Sequence, residues 1–229
     1  MNILDDLKKV ADPIRAQNLA RFFKTAQGQY GFGDIFLGIT VPQLRIIAKK
    51  YSLMPLSEIR SLLKNPIHEC RLTALVILTK KFTQATENEK TSIYTFYLHN
   101  TSAINNWDLV DVSAGKIVGE YLLNKDTSIL HKLAISKNLW ERRIAIIATS
   151  TFIAHNQFDE TIKIATLLLN DKHDLIHKAV GWMLREAGKR DQTVLISFLD
   201  KHSKAMPRTM LRYAIEKLDT PIRKQYMTR

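Results

Sequence analysis

Apolar residues recur at three- and four-residue intervals along nearly the whole chain, and no stretch alternates cleanly between apolar and polar positions. That spacing predicts helices and gives no support to strands. Only 8 glycines and 6 prolines interrupt 229 residues, so the helices have few breakers to contend with. The expected fold class is all-α.

Self-comparison adds a longer period. The segments "LLKNPIHECRLTALVIL" from Leu62, "LHNTSAINNWDLVDVSA" from Leu98, "LAISKNLWERRIAIIAT" from Leu133 and "LLLNDKHDLIHKAVGWM" from Leu167 align, with their leucines 36, 35 and 34 residues apart. A small polar residue follows three places on, at Asn65, Thr101, Ser136 and Asn170, and an apolar one twelve places on, at Ala74, Val110, Ala145 and Ala179. Each unit reads as a helix ending near the leucine, a turn carrying an N-cap-type residue, and a second helix packed on its neighbours. Helical pairs of this length stack into a right-handed α-α superhelix, a solenoid with one concave face. Tetratricopeptide and ankyrin signatures are absent, which leaves HEAT-like as the description. With no linker or low-complexity break, residues 1–229 are expected to form a single domain.

Charge narrows the partner. Lys and Arg number 34 against 22 Asp and Glu, a formal net charge of +12 with a pI near 9.8. Such a surplus favours a polyanion, with nucleic acid first; a surface kept basic for solubility is the plainer reading. The cations are scattered along the chain and flank no apolar anchor, so a membrane partner is not expected. No apolar run reaches the roughly 20 residues that span a bilayer. A lone cysteine, Cys70, and the absence of a leader segment suggest the cytoplasm. No obligate protein partner is implied.

Three segments carry candidate chemistry. In "NNWDLVD" (105–111), Trp107 and Asp111 are one helical turn apart on a line that continues to Gly115, which suggests an indole and an acid beside open space. Val110, Ala114, Ile117 and Tyr121 form the core line of that helix, whereas Asp108 points elsewhere, solvated or capping. In "HKAVGWMLREAGKR" (177–190), Lys178, Trp182, Arg185 and Lys189 share a line apart from the apolar stripe, and Gly181 suits close approach of another backbone. In "LWERRIAI" (139–146), Arg143 shares a face with Trp140, placed either to pair with an acid or to hold a phosphate. Each has a plainer reading: Asp111 as a structural acid bonded to a neighbouring repeat, and Trp182 as a ring packed under lysine stems. "HDLIH" (173–177) imitates a two-histidine zinc motif, but aspartate stands where glutamate serves as base and no third ligand follows. No metal and no cofactor is expected.

With these segments in view, the sequence resembles the HEAT-repeat DNA alkylation repair proteins, whose active members are alkylpurine DNA glycosylases. The resemblance rests on "FLGITVPQLR" (36–45), "NWDLVD" (106–111), "WERRIAI" (140–146) and "AVGWMLRE" (179–186), in the family's order and spacing. It implies that Trp107, Trp182 and Asp111 form an aromatic and acidic cleft around the damaged nucleotide's sugar. It implies further that Arg143 holds a neighbouring phosphate, that Arg45, Arg185 and Lys189 grip the backbone, with Lys178 on the same basic line, and that the substrate is duplex DNA with alkylated bases.

One segment departs from the family. Ahead of "FLGI" stands "GQYGFGD" (28–34), glycine-rich and loop-like, where excision-active relatives carry a helix that helps embrace DNA. Two alternatives to excision therefore stay open: a non-catalytic DNA-binding solenoid for unusual DNA structures, and a protein–protein scaffold.

Overall fold

The computed structural model describes residues 2–228. Among them all regular structure is helical, apart from a single parallel bridge between Ile35 and Ile67. The all-α expectation is met. The chain divides into two compact units, residues 1–113 and 114–229.

The first unit holds α1 (Ile3–Lys9), α2 (Pro13–Phe22), α3 (Val41–Lys50), α4 (Leu56–Leu63), α5 (His68–Gln84), α6 (Glu87–Leu98) and nearly all of α7 (Trp107–Ala114). Local sequence explains several starts. Pro13 and Pro42 sit in first turns, where a missing N–H costs nothing. Thr40 with Gln43, and Thr86 with Glu89, close capping boxes on α3 and α6. α5 is buried almost along its length and forms the middle of this unit, with α3 and α4 packed on it.

The long segment between α2 and α3 is irregular but firmly held. Gly28 and Gly33 take φ of +79° and +90°, which side chains rarely adopt. Gly31 donates to the Lys24 carbonyl, and a β-carbon there would collide with the carbonyl of Phe23, so the loop lies directly on the end of α2. Further on, the buried carboxylate of Glu69 accepts the backbone N–H groups of Leu37, Gly38 and Ile39 at 2.8 to 3.3 Å. The "FLGI" motif is thus a backbone turn bound by one acid from α5.

The second unit contains a π-helical turn at Gly115–Gly119, then α8 (Glu120–Leu122), α9 (Ser128–Ala134), α10 (Leu139–Ala154), α11 (Asp159–Leu167), α12 (Asp174–Arg190), α13 (Gln192–His202), α14 (Arg208–Ala214) and α15 (Thr220–Met227). α9 pairs with α10 and α11 with α12, while α10 packs on α12 and α12 on α14. The α12–α14 contact is close at Gly181: a β-carbon would stand 2.5 Å from the Met210 carbonyl oxygen and from Cβ of Tyr213. The close approach expected of this glycine is present.

Within each unit the repeat has the expected local form. Leu62, Leu98, Leu133 and Leu167 lie at or beside the ends of α4, α6, α9 and α11, and each is followed by a turn and a second helix. Ala74, Val110, Ala145 and Ala179 are fully buried. The capping assignment needs correction. Asn138 and His173 cap α10 and α12, not Ser136 and Asn170, and Ile67 precedes α5 without a side-chain cap. Asn65 and Ser136 instead accept the N–H two residues on, from Ile67 and Asn138. A short polar side chain satisfies a turn as readily as a helix start, so spacing alone does not separate the two.

No helix among the described residues is long and apolar enough to cross a membrane.

Candidate functional site

α7 begins where "NNWD" meets three groups from distant parts of the first unit. Asn106 is buried; its Oδ1 accepts the N–H of Trp107 at 2.8 Å and its Nδ2 donates to Asp34 at 3.1 Å. His68, 2% exposed, stands between two acids, with Nδ1 3.0 Å from Asp34 and Nε2 2.7 Å from Asp108. Arg71 donates to Asp34 at 2.5 Å and to the carbonyls of Asn65 and Pro66. Burial opposes charge on His68, but hydrogen bonds to Asp108 and Asp34, together with their charges, outweigh it and raise its pKa to about 9. Burial likewise opposes charge on Asp34, yet His68, Arg71 and Asn106 hold it below the usual carboxylate range. Asp108 is therefore the ion-pair partner of a buried imidazolium, which corrects the expectation of a solvated residue, while its Oδ1 accepts the first-turn N–H of Leu109 at 2.9 Å, in keeping with the capping alternative. Asp34, His68, Arg71 and Asn106 were not singled out from the sequence, where 40 residues separate His68 from Asp108.

The indole at the head of α7 joins an aromatic column. Trp107 stacks on Phe23 with centroids 5.1 Å apart, Phe23 on Phe36 at 5.0 Å, and Phe36 on His68 at 4.6 Å. Phe22 meets the indole edge-on at 5.8 Å. One face of Trp107 is thereby covered by Phe23, and the residue as a whole is half-buried.

Asp111 is also half-buried. Its charge adds to the effect of burial in raising the pKa of the fully buried Tyr97 phenol, which a hydrogen bond with Ser113 opposes. The open space expected at Gly115 is not there. Gly115 is buried, a β-carbon on it would collide with the Ser150 hydroxyl, and its carbonyl accepts from Thr151 at 2.8 Å. The π turn also widens the helical register, so Ile117 and Val118 are both fully buried while Tyr121 is only half-buried, with Lys125 over its ring at 3.8 Å.

In the second unit, Trp182 is half-buried on α12 and lines a groove of about 620 Å³ with Ile153, Met183, Glu186, Lys189 and Arg190. Three cations along its helix are engaged by acids, whereas Arg190 donates to the Asn156 amide oxygen. Lys178 pairs with Asp174 at 2.8 Å, Arg185 with Glu186 and Glu216, and Lys189 with Glu186 at 2.9 Å. Partial burial raises the Glu186 pKa, but Lys189 and Arg185 reverse the sign and hold it low. Arg143 is 5% exposed and donates to the Leu175 carbonyl at 2.6 Å, while its neighbour Arg142 forms a short ion pair with Asp171. Arg45 differs from all of these: it lies exposed on α3 and enters no ion pair among the described residues.

Other reactive groups are committed to the fold. His173 accepts the Leu175 N–H and His177 donates to the Asp171 carbonyl, while burial pushes the Cys70 thiol up to about 11. No group of three or more His, Cys, Asp or Glu side chains suited to a metal occurs among the described residues.

Residues 3–218 match the family model described as DNA alkylation repair enzyme. Among solved structures, the chain is similar to a predicted DNA alkylation repair enzyme from Enterococcus faecalis, with a TM-score of 0.74 at 18% identity over 92% of this chain and 97% of that one. At that identity the likeness shows a shared fold. Among curated proteins there is no match.

Proposed function

Because the chain belongs to the family of DNA alkylation repair enzymes, we propose that it binds duplex DNA carrying alkylated bases and excises cationic N3- and N7-alkylpurines by hydrolysing the N-glycosidic bond. The helix pairs are read as HEAT-like repeats. The observation that carries the reading is α7, where Asp111 stands half-buried one turn after Trp107 on a helix whose start is tied down by the Asp34–His68–Asp108 network.

The chemistry suits an anion and an indole. A purine methylated at N3 or N7 is already cationic, so the C1′–N bond breaks with its electron pair passing to the base, which leaves neutral. Positive charge develops on the deoxyribose, as in other oxocarbenium reactions. Asp111 opposes that charge and orients a water whose oxygen bonds to C1′, and the proton leaves to the carboxylate or to solvent. The uncovered part of Trp107 adds a cation–π contribution of about 0.5 to 2 kcal/mol. Trp182, with Lys189 and Arg190 in the groove of the second unit, takes a DNA-contacting role, as do Arg45, Lys178 and Arg185. Arg143 contributes by holding α10 to α12 through Leu175, and its phosphate contact requires release of that buried position.

The coverage of one Trp107 face by Phe23 favours a second reading, DNA binding without excision. Chromatography of bases freed from defined oligonucleotides separates the two. Release of 3-methyladenine or 7-methylguanine, with none of uracil or hypoxanthine, is the expected result, since a neutral base needs a proton donor that α7 does not offer. DNA binding with no base released from any substrate selects the second reading.

A further inference from the structure

The segment "ARFFKT" at the end of α2 treats its two phenylalanines oppositely. Phe23 is 6% exposed inside the aromatic column, whereas the adjacent Phe22 is 63% exposed. An isolated exposed apolar residue needs no explanation. Phe22 is not isolated: its ring is held edge-on by Phe23 at 5.2 Å and by Trp107 at 5.8 Å, in T-shaped geometries of 88° and 75°.

The backbone beneath it is fixed as well. α2 ends at Phe22, Lys24 takes a left-handed φ of 54°, Thr25 donates from both its N–H and its hydroxyl to the Ala20 carbonyl, and Gly31 packs on Phe23. An exposed ring held by two other rings has given up part of its conformational freedom before any ligand arrives, which lowers the entropic cost of stacking on it. Its neighbours in sequence, Arg21 and Lys24, are both exposed and form no ion pair among the described residues. An exposed aromatic ring with unpaired cations beside it in the chain suits a base on the ring and the backbone on the charges.

From these observations we propose that Phe22 is a stacking site for an unpaired nucleobase of DNA, with Arg21 and Lys24 on the flanking phosphates. The proposal rests on the DNA-binding part of the function above and adds a preference that charge does not supply: duplexes with an unstacked base bind better than fully paired ones.

The test is fluorescence anisotropy at fixed salt with two non-cleavable probes, a fully paired duplex and the same duplex carrying one unpaired base. Base–aromatic stacking predicts that the parent prefers the second probe roughly tenfold. Phe22→Ala removes that preference and leaves affinity for the paired duplex within about twofold, while Phe22→Tyr, which keeps the ring, retains it. Equal preference in parent and Phe22→Ala overturns the stacking site and leaves the functional reading intact. Loss of both affinities together in Phe22→Ala overturns it in favour of a structural role. Tighter binding by Phe22→Ala overturns it too, and identifies the ring as a cover over Trp107. A parent that binds neither probe overturns the functional reading and the stacking site with it.

Discussion

His68 is where the acid–base balance of the candidate site can be tested without substrate. Its folded pKa of about 9 lies above the ordinary value of 6.5, so protonation is coupled to folding. The stabilisation is complete below about pH 6.5 and is lost as pH rises through 9; the magnitude is on the order of 3 kcal/mol. Asp34, held low, acts in the other direction: its contribution exists above the usual carboxylate range and disappears as pH falls through its folded value. Urea unfolding at pH 6 and pH 10 is expected to show the parent less stable at pH 10. In His68→Gln that difference shrinks, because the titrating group is gone; an unchanged difference assigns the alkaline loss to other groups. This network was not legible in the sequence, although Asp34 stands inside "GQYGFGD". Composition marked that segment as a loop, and it is one, but no local pattern announces that its last residue binds His68, Arg71 and Asn106 at distances of 34, 37 and 72 residues along the chain. This loop supplies an acid that fixes the start of α7 through His68 and Asn106.

Helices and their order were the most legible level, because a 3.6-residue apolar period is a local property of the chain. Ala74, Val110, Ala145 and Ala179 report this directly, all fully buried at one register. The π turn at Gly115–Gly119 was not legible; its two glycines pack tightly on α10, Gly115 at the Ser150 hydroxyl and Gly119 at the Ala148 carbonyl and Thr151, contacts between segments that propensity does not report. That packing also explains why a glycine taken as open space is a filled contact. Gly181 makes the corresponding contact between α12 and α14, and here the obstacles are backbone and Cβ atoms that cannot swing aside. Gly181→Ala is therefore expected to destabilise by about 1 to 3 kcal/mol in spite of alanine's better helix propensity, which favours it by about 1 kcal/mol. A melting temperature equal to or above the parent's contradicts the close contact.

At the scale of the whole molecule, +12 sets the long-range attraction to DNA, while local pairing decides which cations are available. Lys178, Arg185 and Lys189 all hold acids, and Arg45 holds none among the described residues. In a salt titration of duplex binding, Arg45→Ala is expected to shallow the slope of log affinity against log salt by about one unit. Lys189→Ala shallows it less, because Glu186 already neutralises part of that charge; a larger effect from Lys189 means that the pair opens on DNA. Lys178–Asp174 and Lys189–Glu186 are four and three residues apart on one helix and so within reach of the sequence, whereas Arg185–Glu216 joins distant segments that scattered Lys and Arg do not reveal. The central claim remains the role of the acid on α7, and single-turnover excision of 7-methylguanine by Asp111→Asn, with DNA affinity measured alongside, tests it most directly. The substitution keeps shape and removes charge, so affinity is expected to hold or rise while the excision rate falls on the order of 100-fold, about 2.7 kcal/mol of transition-state stabilisation. Equal excision rates in the two proteins contradict the account and make Asp111 a structural acid.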